Sequence, residues 1–442
     1  MLIEFTAENF LSFKDSATLS LVASKGKEFP EHVMYYQPTF AARAKSLPVL
    51  KSSALYGANA GGKTNFLKAM AFMRYWVLQS SKESQASEPI PLTPFLLAHE
   101  NAAAPSTFEV VFVHDGVRYR YGFAADSKQV HMEWLFAAPK GREAKYFIRN
   151  EGEFTFGSGF GRPHSLVDKT RENALFLSVA AQFNHTVSKK LLCWFADWQV
   201  YTADTGAFPK FSFDRLASVD KRQRMLQFLQ LADDTIVDLE VEDVDVHEAK
   251  LPRALREQLA QDIEHNKEQG RSLQVQKLVS YHYMYDATGA QKELVPFDFQ
   301  YESKGTRKFF ELAGCILQAL DHGTPLVVDE LECSLHPQMT RFVLELFHDP
   351  DVNTHNAQLV FATHDVSLFS RRFFRRDQLW MVRKNEPGAS ELYALSDFQV
   401  RSDASYDKDY MEGRYGAIPV LAEPRSVYWP QSNPNDSNSK KP

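Results

Sequence analysis

The chain has 442 residues, of which 44% are hydrophobic and 24% charged, with a formal net charge of -6. That balance excludes global disorder and a polybasic nucleic-acid coat, and no apolar run approaches the roughly 18 residues of a membrane-spanning helix. The three cysteines, Cys193, Cys315 and Cys333, are too few and too scattered for a disulfide framework or a CxxC zinc site. The opening MLIEFTAENFLSF lacks the basic start of a signal peptide, and Glu4 and Glu8 interrupt its apolar residues, so a cytoplasmic protein without a membrane partner is expected.

In chain order, residues 1–22 alternate apolar and polar side chains and read as two strands with a turn at Lys14-Asp15. Residues 48–56 form an apolar strand that runs into a glycine-rich loop. A helix follows over 64–79, with Phe66, Leu67, Met70, Met73 and Val77 at helical spacing. Residues 81–94 read as a loop, and 107–113, 118–123 and 131–137 as an antiparallel meander. Helices are expected over 174–183 and 188–198, charged arm helices over 220–232 and 252–269, and a strand over 274–285. From residue 296 the pattern alternates: strand 297–301, helix 306–320, strand 326–328, helix 337–347, strand 358–362, a βαβαβ succession that predicts a parallel sheet. The tail from Pro424 has the composition of an unfolded segment. The predicted organisation is an α/β fold with a mixed or parallel sheet. It has an N-terminal lobe (1–140) containing an antiparallel β subdomain, a helical or mixed insertion (141–295), a C-terminal lobe (296–423) and a disordered tail (424–442).

Gly57-Ala58-Asn59-Ala60-Gly61-Gly62-Lys63-Thr64 fits GxxxxGK[ST], the Walker A pattern. Glycines let successive backbone N–H groups face inward as an anion nest, and the following helix N-terminus adds partial positive charge. Gly57, Asn59, Ala60, Gly61 and Gly62 are expected to cradle the phosphates of ATP, Lys63 to reach the β- and γ-phosphates, and Thr64 to ligate Mg2+. The plain alternative is a glycine-rich turn, which the strand-loop-helix context disfavours.

The strand 325–328 ends in Asp329-Glu330. A buried strand closing on adjacent acids suits a cation, with Asp329 anchoring Mg2+ and Glu330 as the general base that polarises water; a solvated loop is the alternative. Glu302-Ser303-Lys304-Gly305-Thr306 opens a helix, so Ser303 and Gly305 either hold a second phosphate contact or simply cap that helix. His364 closes the strand 358–362, where it either meets a γ-phosphate or is an ordinary surface residue.

In order, these motifs resemble the ABC-type ATPases of the SMC/RecF/OLD class, and within it the RloA-like and PARIS-type AAA family ATPases of bacterial antiphage defence operons. The resemblance is carried by Asn9-Phe10-Leu11-Ser12-Phe13, residues 56–64, 302–306, 328–337 and 362–365, and the closing Gly413-Arg414-Tyr415-Gly416-Ala417-Ile418-Pro419. It implies a signature at Ser303 and Gly305, a D-loop at Ser334-Leu335-His336-Pro337 and a switch histidine at His364. It also implies a homodimer or higher oligomer sandwiching ATP, with Ser303 and Gly305 acting in trans, and a separate effector such as a nuclease or toxin. The signature reads ESKGT rather than LSGGQ, which thins its donor set. The glutamine that would help hold Mg2+ is assigned to Gln182.

Arg371-Arg372-Phe373-Phe374-Arg375-Arg376 combines four guanidinium groups with two aromatics. It is either a nucleic-acid or acidic-protein contact or a helix whose Phe residues are core and whose Arg residues are solvated. Asp407-Lys408-Asp409 and Asp243-Val244-Asp245, the latter in an expected acidic loop, lack the surroundings of a nuclease domain, and Cys315 reads as core. An ATPase that gates an effector leads, ahead of a RecF/SMC-like DNA-repair clamp and a scaffold that binds ATP without hydrolysing it.

Overall fold

A computed structural model describes residues 1–38, 45–83, 85–161, 163–202, 210–245, 274–399 and 405–419. The strands in chain order begin with β1 (Leu2–Glu8), β2 (Ala17–Ser20), β3 (Val33–Tyr36), β4 (Leu47–Leu50) and β5 (Ser52–Tyr56). Next come β6 (Ser106–His114), β7 (Val117–Ala125), β8 (Val130–Ala138), β9 (Ala144–Asn150), β10 (Glu153–Phe156) and β11 (Gln199–Tyr201). The last are β12 (Asp238–Asp245), β13 (Gln274–Tyr285), β14 (Gln291–Asp298), β15 (Pro325–Val328), β16 (Gln358–Ala362), β17 (Leu379–Lys384) and β18 (Ser390–Ala394). The helices are α1 (Lys63–Gln79), α2 (His99–Ala102), α3 (Phe176–Gln182), α4 (Thr186–Asp197), α5 (Lys210–Leu216), α6 (Val219–Leu229), α7 (Lys304–His322), α8 (Pro337–His348) and α9 (Tyr406–Met411).

The central sheet has six strands in the order β11-β15-β16-β5-β17-β18, parallel except for the β17–β18 pair. Its inner strands β5, β15 and β16 are buried at every position, which requires cover on both faces. Alternation along each strand divides that cover. Leu55, Val327, Val360 and Val382 join a core with α1, α3, α4 and the seven-stranded antiparallel sheet β10-β9-β8-β7-β6-β1-β2. Ala54, Tyr56, Leu326, Val328, Phe361 and Met381 join a second core with α6, α7 and α8. Strand β6 shows why the antiparallel sheet forms: Phe108, Val110 and Phe112 are fully buried at every second position, while Glu109 and Val111 are partly exposed.

The expected meander is present and continues past residue 140 through β9 and β10. Five expectations need correction. Residues 48–56 are not one strand: β4 pairs with β3 in a two-stranded sheet, and β5 enters the central sheet. Residues 297–301 are not a parallel strand: β14 ends at Asp298, pairs antiparallel with β13 in the sheet β12-β13-β14, and passes into a 3-10 turn at Phe299–Tyr301. Helix α6 is no free arm, because Met225, Phe228 and Leu229 are buried and Phe228 stacks on Phe309 of α7 at 5.1 Å. Asp243 and Asp245 lie in strand β12 rather than a loop. The first turn is broader than Lys14-Asp15, since β1 ends at Glu8 and β2 begins at Ala17. The helix expected over 252–269 and the tail from 424 lie outside the described residues.

Candidate nucleotide-binding site

Strand β5 leads directly into the loop at 57–62, and α1 begins at Lys63. The loop is braced from behind. A Cβ at Gly57 would stand 2.2 Å from the Val382 carbonyl oxygen, and one at Gly62 (φ 119°) 2.2 Å from Ser390 Oγ, so both positions require glycine. Ser390 Oγ donates to the Gly61 carbonyl at 2.7 Å and meets Ser12 Oγ at 2.8 Å, which also accepts from Asn65 Nδ2 at 2.8 Å. The turn bearing Ser12 is itself tied down by Asn9, whose Nδ2 donates to the carbonyls of Asn101 and Ala104 and whose Oδ1 accepts from the Phe95 amide. Asn59 and Ala60 form the exposed crown, with Ala60 in the left-handed region at φ 60°.

Lys63 is buried, and its Nζ donates to the carbonyls of Gly57 at 2.8 Å and Ala58 at 3.3 Å. Burial pushes its ammonium down to about 8, while Asp329, Glu332 and Glu330 pull it upward. Asp329 and Glu330 follow β15. The Asp329 carboxyl is raised above the usual range by burial, against a hydrogen bond with the Thr64 hydroxyl, and neighbouring Glu330 raises it further. Its Oδ1 is buried and lacks a hydrogen-bond partner. A buried carboxylate oxygen without a partner, beside a hydroxyl, is the donor set a hard divalent cation needs. Glu330 is partly exposed, with its backbone at φ 52°.

His364 is exposed at the end of β16. Desolvation and then the Lys63 charge hold its ring below the ordinary histidine range, opposed by Glu332, Glu330 and Asp329. Its amide donates to Glu332 Oε1 at 2.6 Å, and Glu332 Oε2 is a second buried oxygen without a partner. Asp365 Oδ2 is a third. The structure thus brings Lys63, Thr64, Asp329, Glu330 and His364 to one edge of the central sheet, and adds Glu332, Asp365, Ser390 and Asn65. Ser12, Glu332 and Asp365 lie within stretches that carry the family resemblance, though with no role assigned to them, whereas Asn65 and Ser390 carry no sequence signal and join the site through the fold.

Ser303 and Gly305 lie elsewhere in the same chain. Ser303 Oγ caps α7 by accepting from the Thr306 amide at 3.0 Å. Ser303 and Gly305 line a cavity of about 360 Å³ with Leu231, Ser334, His336 and Met339, and no residue of the 57–64 loop lines it. His336 caps α8 through Nδ1, with Pro337 in its first turn.

Gln182 is not brought to the loop. It is exposed at the end of α3, and Ser178 Oγ of that helix meets Ser81 Oγ at 2.7 Å, beyond the C-terminus of α1. The 17-residue α1 places that end roughly 25 Å from Lys63. Four residues of helix recover only about 6 Å of that distance. The Arg371–Arg376 stretch is not a helix but turns flanking a 3-10 segment at Arg376–Gln378. Phe374 is core, as expected for the structural alternative, but Arg375 is only 3% exposed. It pairs with Asp377 and donates to the carbonyls of Ser24, Gly26 and Glu28, so it cannot serve an outside ligand. Arg371 lies over the Tyr406 ring, while Arg372 and Arg376 are exposed. Cys315 is buried, as expected. Among the described residues no group of three or more His, Cys, Asp or Glu could hold a metal by itself, and no helix is long and apolar enough to cross a membrane.

Among solved structures, the chain resembles the SMC head domain from Thermotoga maritima, at 12% identity and a TM-score of 0.37, over 89% of this chain and 98% of that one. It also resembles an SmcHead bound to the C-winged helix domain of ScpA, at 10% identity and a TM-score of 0.41, over 93% and 99%. No curated protein matches. The family described as "AAA domain, putative AbiEii toxin, Type IV TA system" matches residues 52–370. That match takes in the glycine loop, the acid pair and His364 and spans most of the sequence, so the chain belongs to this AAA-domain family of P-loop ATPases.

Proposed function

We propose that the chain binds and hydrolyses ATP with Mg2+, closes head to head with a second copy around the nucleotide, and through that cycle gates a separate effector, a nuclease or toxin, in antiphage defence. The observation that carries the ATP reading is the unbalanced sheet edge, where a buried lysine satisfied only by loop carbonyls faces a buried carboxylate oxygen with no partner. In this reading the loop amides hold the phosphates, and Lys63 leaves the Gly57 and Ala58 carbonyls to meet the β- and γ-oxygens. Thr64 and Asp329 hold Mg2+, which when bound neutralises charge developing on the phosphates. Glu330 takes the proton of the attacking water, and His364 contacts the γ-phosphate. Ser303 and Gly305 line a cavity apart from the glycine loop, which supports their acting on a nucleotide held by another copy.

The effector role draws support from the family description, which names a toxin and a toxin–antitoxin system, and from the likeness to RloA-like and PARIS-type sequences. The RecF/SMC-like DNA clamp is less favoured, because Arg375 is withdrawn from the basic cluster it would use. The test is Glu330→Gln in the full chain. ATP turnover is expected to vanish while a stable dimer accumulates with Mg-ATP, seen by light scattering on a sizing column. A variant that remains monomeric with saturating Mg-ATP overturns the head-to-head reading.

A further inference from the structure

The turn bearing Ser303 is held from outside its own helix. The Glu302 side chain is 10% exposed. Its Oε1 accepts two hydrogen bonds from strand β13, from Ser280 Oγ at 2.5 Å and from His282 Nε2 at 2.7 Å. His282 Nδ1 in turn meets Thr235 Oγ1 at 3.2 Å, and Thr235 donates to Asp233 Oδ1 at 2.6 Å. The backbone is pinned on the same side: the Glu302 amide donates to the Phe299 carbonyl, and buried Phe299 packs on Phe310 of α7 with ring centroids 5.0 Å apart. On the far side of Ser303, a Cβ at Gly305 would stand 2.7 Å from the Ser334 carbonyl oxygen, so the turn also has no room to slide toward residues 334–337.

None of this is needed to start the helix. Ser303 caps α7 by itself, and Glu302 takes no part in that cap. Yet β13, the middle strand of its sheet, gives Glu302 two side-chain donors. Hydrogen bonds to a carboxylate are among the stronger ones, and two on one oxygen fix its position. Because Glu302 directly precedes Ser303, a rotation of its backbone displaces the Ser303 hydroxyl and the Gly305 amide together.

We infer that Glu302 is a positioning residue through which the β12-β13-β14 sheet sets the geometry of Ser303 and Gly305, so that His282 governs the rate of ATP turnover without touching nucleotide. This rests on the reading of Ser303 and Gly305 as contacts for a nucleotide held by a second copy.

The test uses the full chain, measuring steady-state turnover, affinity for a fluorescent ATP analogue, and Tm. His282→Ala and Glu302→Ala are each expected to lower kcat roughly tenfold, the scale of a small misplacement at a reacting centre. Analogue affinity should stay within about twofold, since Walker A binding is not involved. The double variant should be no slower than either single one, because both act through one link. Glu302→Gln keeps an acceptor in the same place and should recover most of the rate. A lowered Tm with unchanged kcat in His282→Ala, or a double variant slowed by the product of the single effects, overturns the inference. Ser303→Ala, run alongside, separates the two layers. A slow Ser303→Ala with a wild-type His282→Ala refutes the clamp alone. Wild-type rates in both refute the signature reading, and the clamp with it.

Discussion

The two ends of strand β5 are equally buried and treat polar groups in opposite ways. At the Ser52 end, Ser52 Oγ accepts from Gln378 Nε2 at 2.8 Å and meets His348 Nε2 at 2.7 Å, and Gln378 Oε1 meets His32 Nδ1 at 2.9 Å. The rings of His32 and His348 stack at 3.5 Å, and nearby Gln358 bonds to the Leu2 amide and to the carbonyls of Leu2 and Leu50. At the Gly57 end, Asp329, Glu332 and Asp365 each keep a buried oxygen without a partner. Leaving such a group unmet costs about 1–3 kcal/mol, so a fold tolerates several together only where something else satisfies them. At the Ser52 end the charged and amide groups are spent on the fold, with only the Ser53 and Thr324 hydroxyls among the described residues there unmet, whereas the other end keeps three carboxylate oxygens for a ligand.

If that contrast is right, substitutions at the two ends should separate binding from stability. The largest effect is expected at Lys63. Lys63→Ala should weaken ATP by at least about a hundredfold, the loss of a buried charge-assisted contact, with little change in Tm. Titration with a fluorescent ATP analogue measures it, and retained affinity would break the assignment of the loop. Next is Asp329→Asn. Removing a buried charge that Glu330 repels should leave the Tm of the nucleotide-free chain unchanged or higher, while Mg2+-dependent turnover falls by roughly a hundredfold. A clear loss of Tm there would mean the carboxylate is already spent on the fold. Gln378→Ala should do the reverse, costing about 1–3 kcal/mol in denaturant unfolding while ATP affinity stays put.

The same contrast explains what the sequence could disclose. The glycine loop, Asp329-Glu330 and His364 are legible because each lies at a strand end, where local spacing and chemistry coincide. Helices α1, α7 and α8 are legible because their buried positions recur at helical spacing. Gln182 was misplaced because a single glutamine carries no local signal, and only the packing of α3 against the end of α1 shows how far it sits from the loop. Arg375 misled for a related reason: four arginines in six residues look like a surface patch until one is found capping the carbonyls of Ser24, Gly26 and Glu28. The strand at 297–301 failed because its apolar residues suit a 3-10 turn packed on α7 as well as a strand. The partners of Glu302 and Glu332 come from segments 20 to 32 residues away, beyond any spacing rule.

The smallest expected effect is a pH dependence whose sign differs between the buried histidine pair and Asp329. His348 is held well below the usual histidine range by burial, and then by the nearby His32 and Lys51; His32 is lowered as well, mainly by burial. Glu31 and Gln378 pull His32 the other way, and Arg375 with Lys51 pushes it down. In the unfolded chain both rings take up a proton near pH 6.5, whereas the folded chain resists until lower pH. Unfolding therefore binds protons, so stability is full above about pH 6.5 and falls as the pH drops toward the folded values. Asp329 runs the other way: its folded carboxyl is raised, so the folded chain binds that proton more readily than the unfolded one and regains stability as acid protonates it. Between about pH 7.5 and pH 5.5 the histidine pair should dominate and lower Tm by roughly 1 °C, the equivalent of about 1 kcal/mol in a chain of 442 residues. His348→Gln, which can keep a hydrogen bond to Ser52 without titrating, should flatten that slope. An equal slope in His348→Gln would mean that the stacked histidines do not carry it; Asp329 has the opposite sign, which leaves His364, whose ring is also lowered, as a group of matching sign.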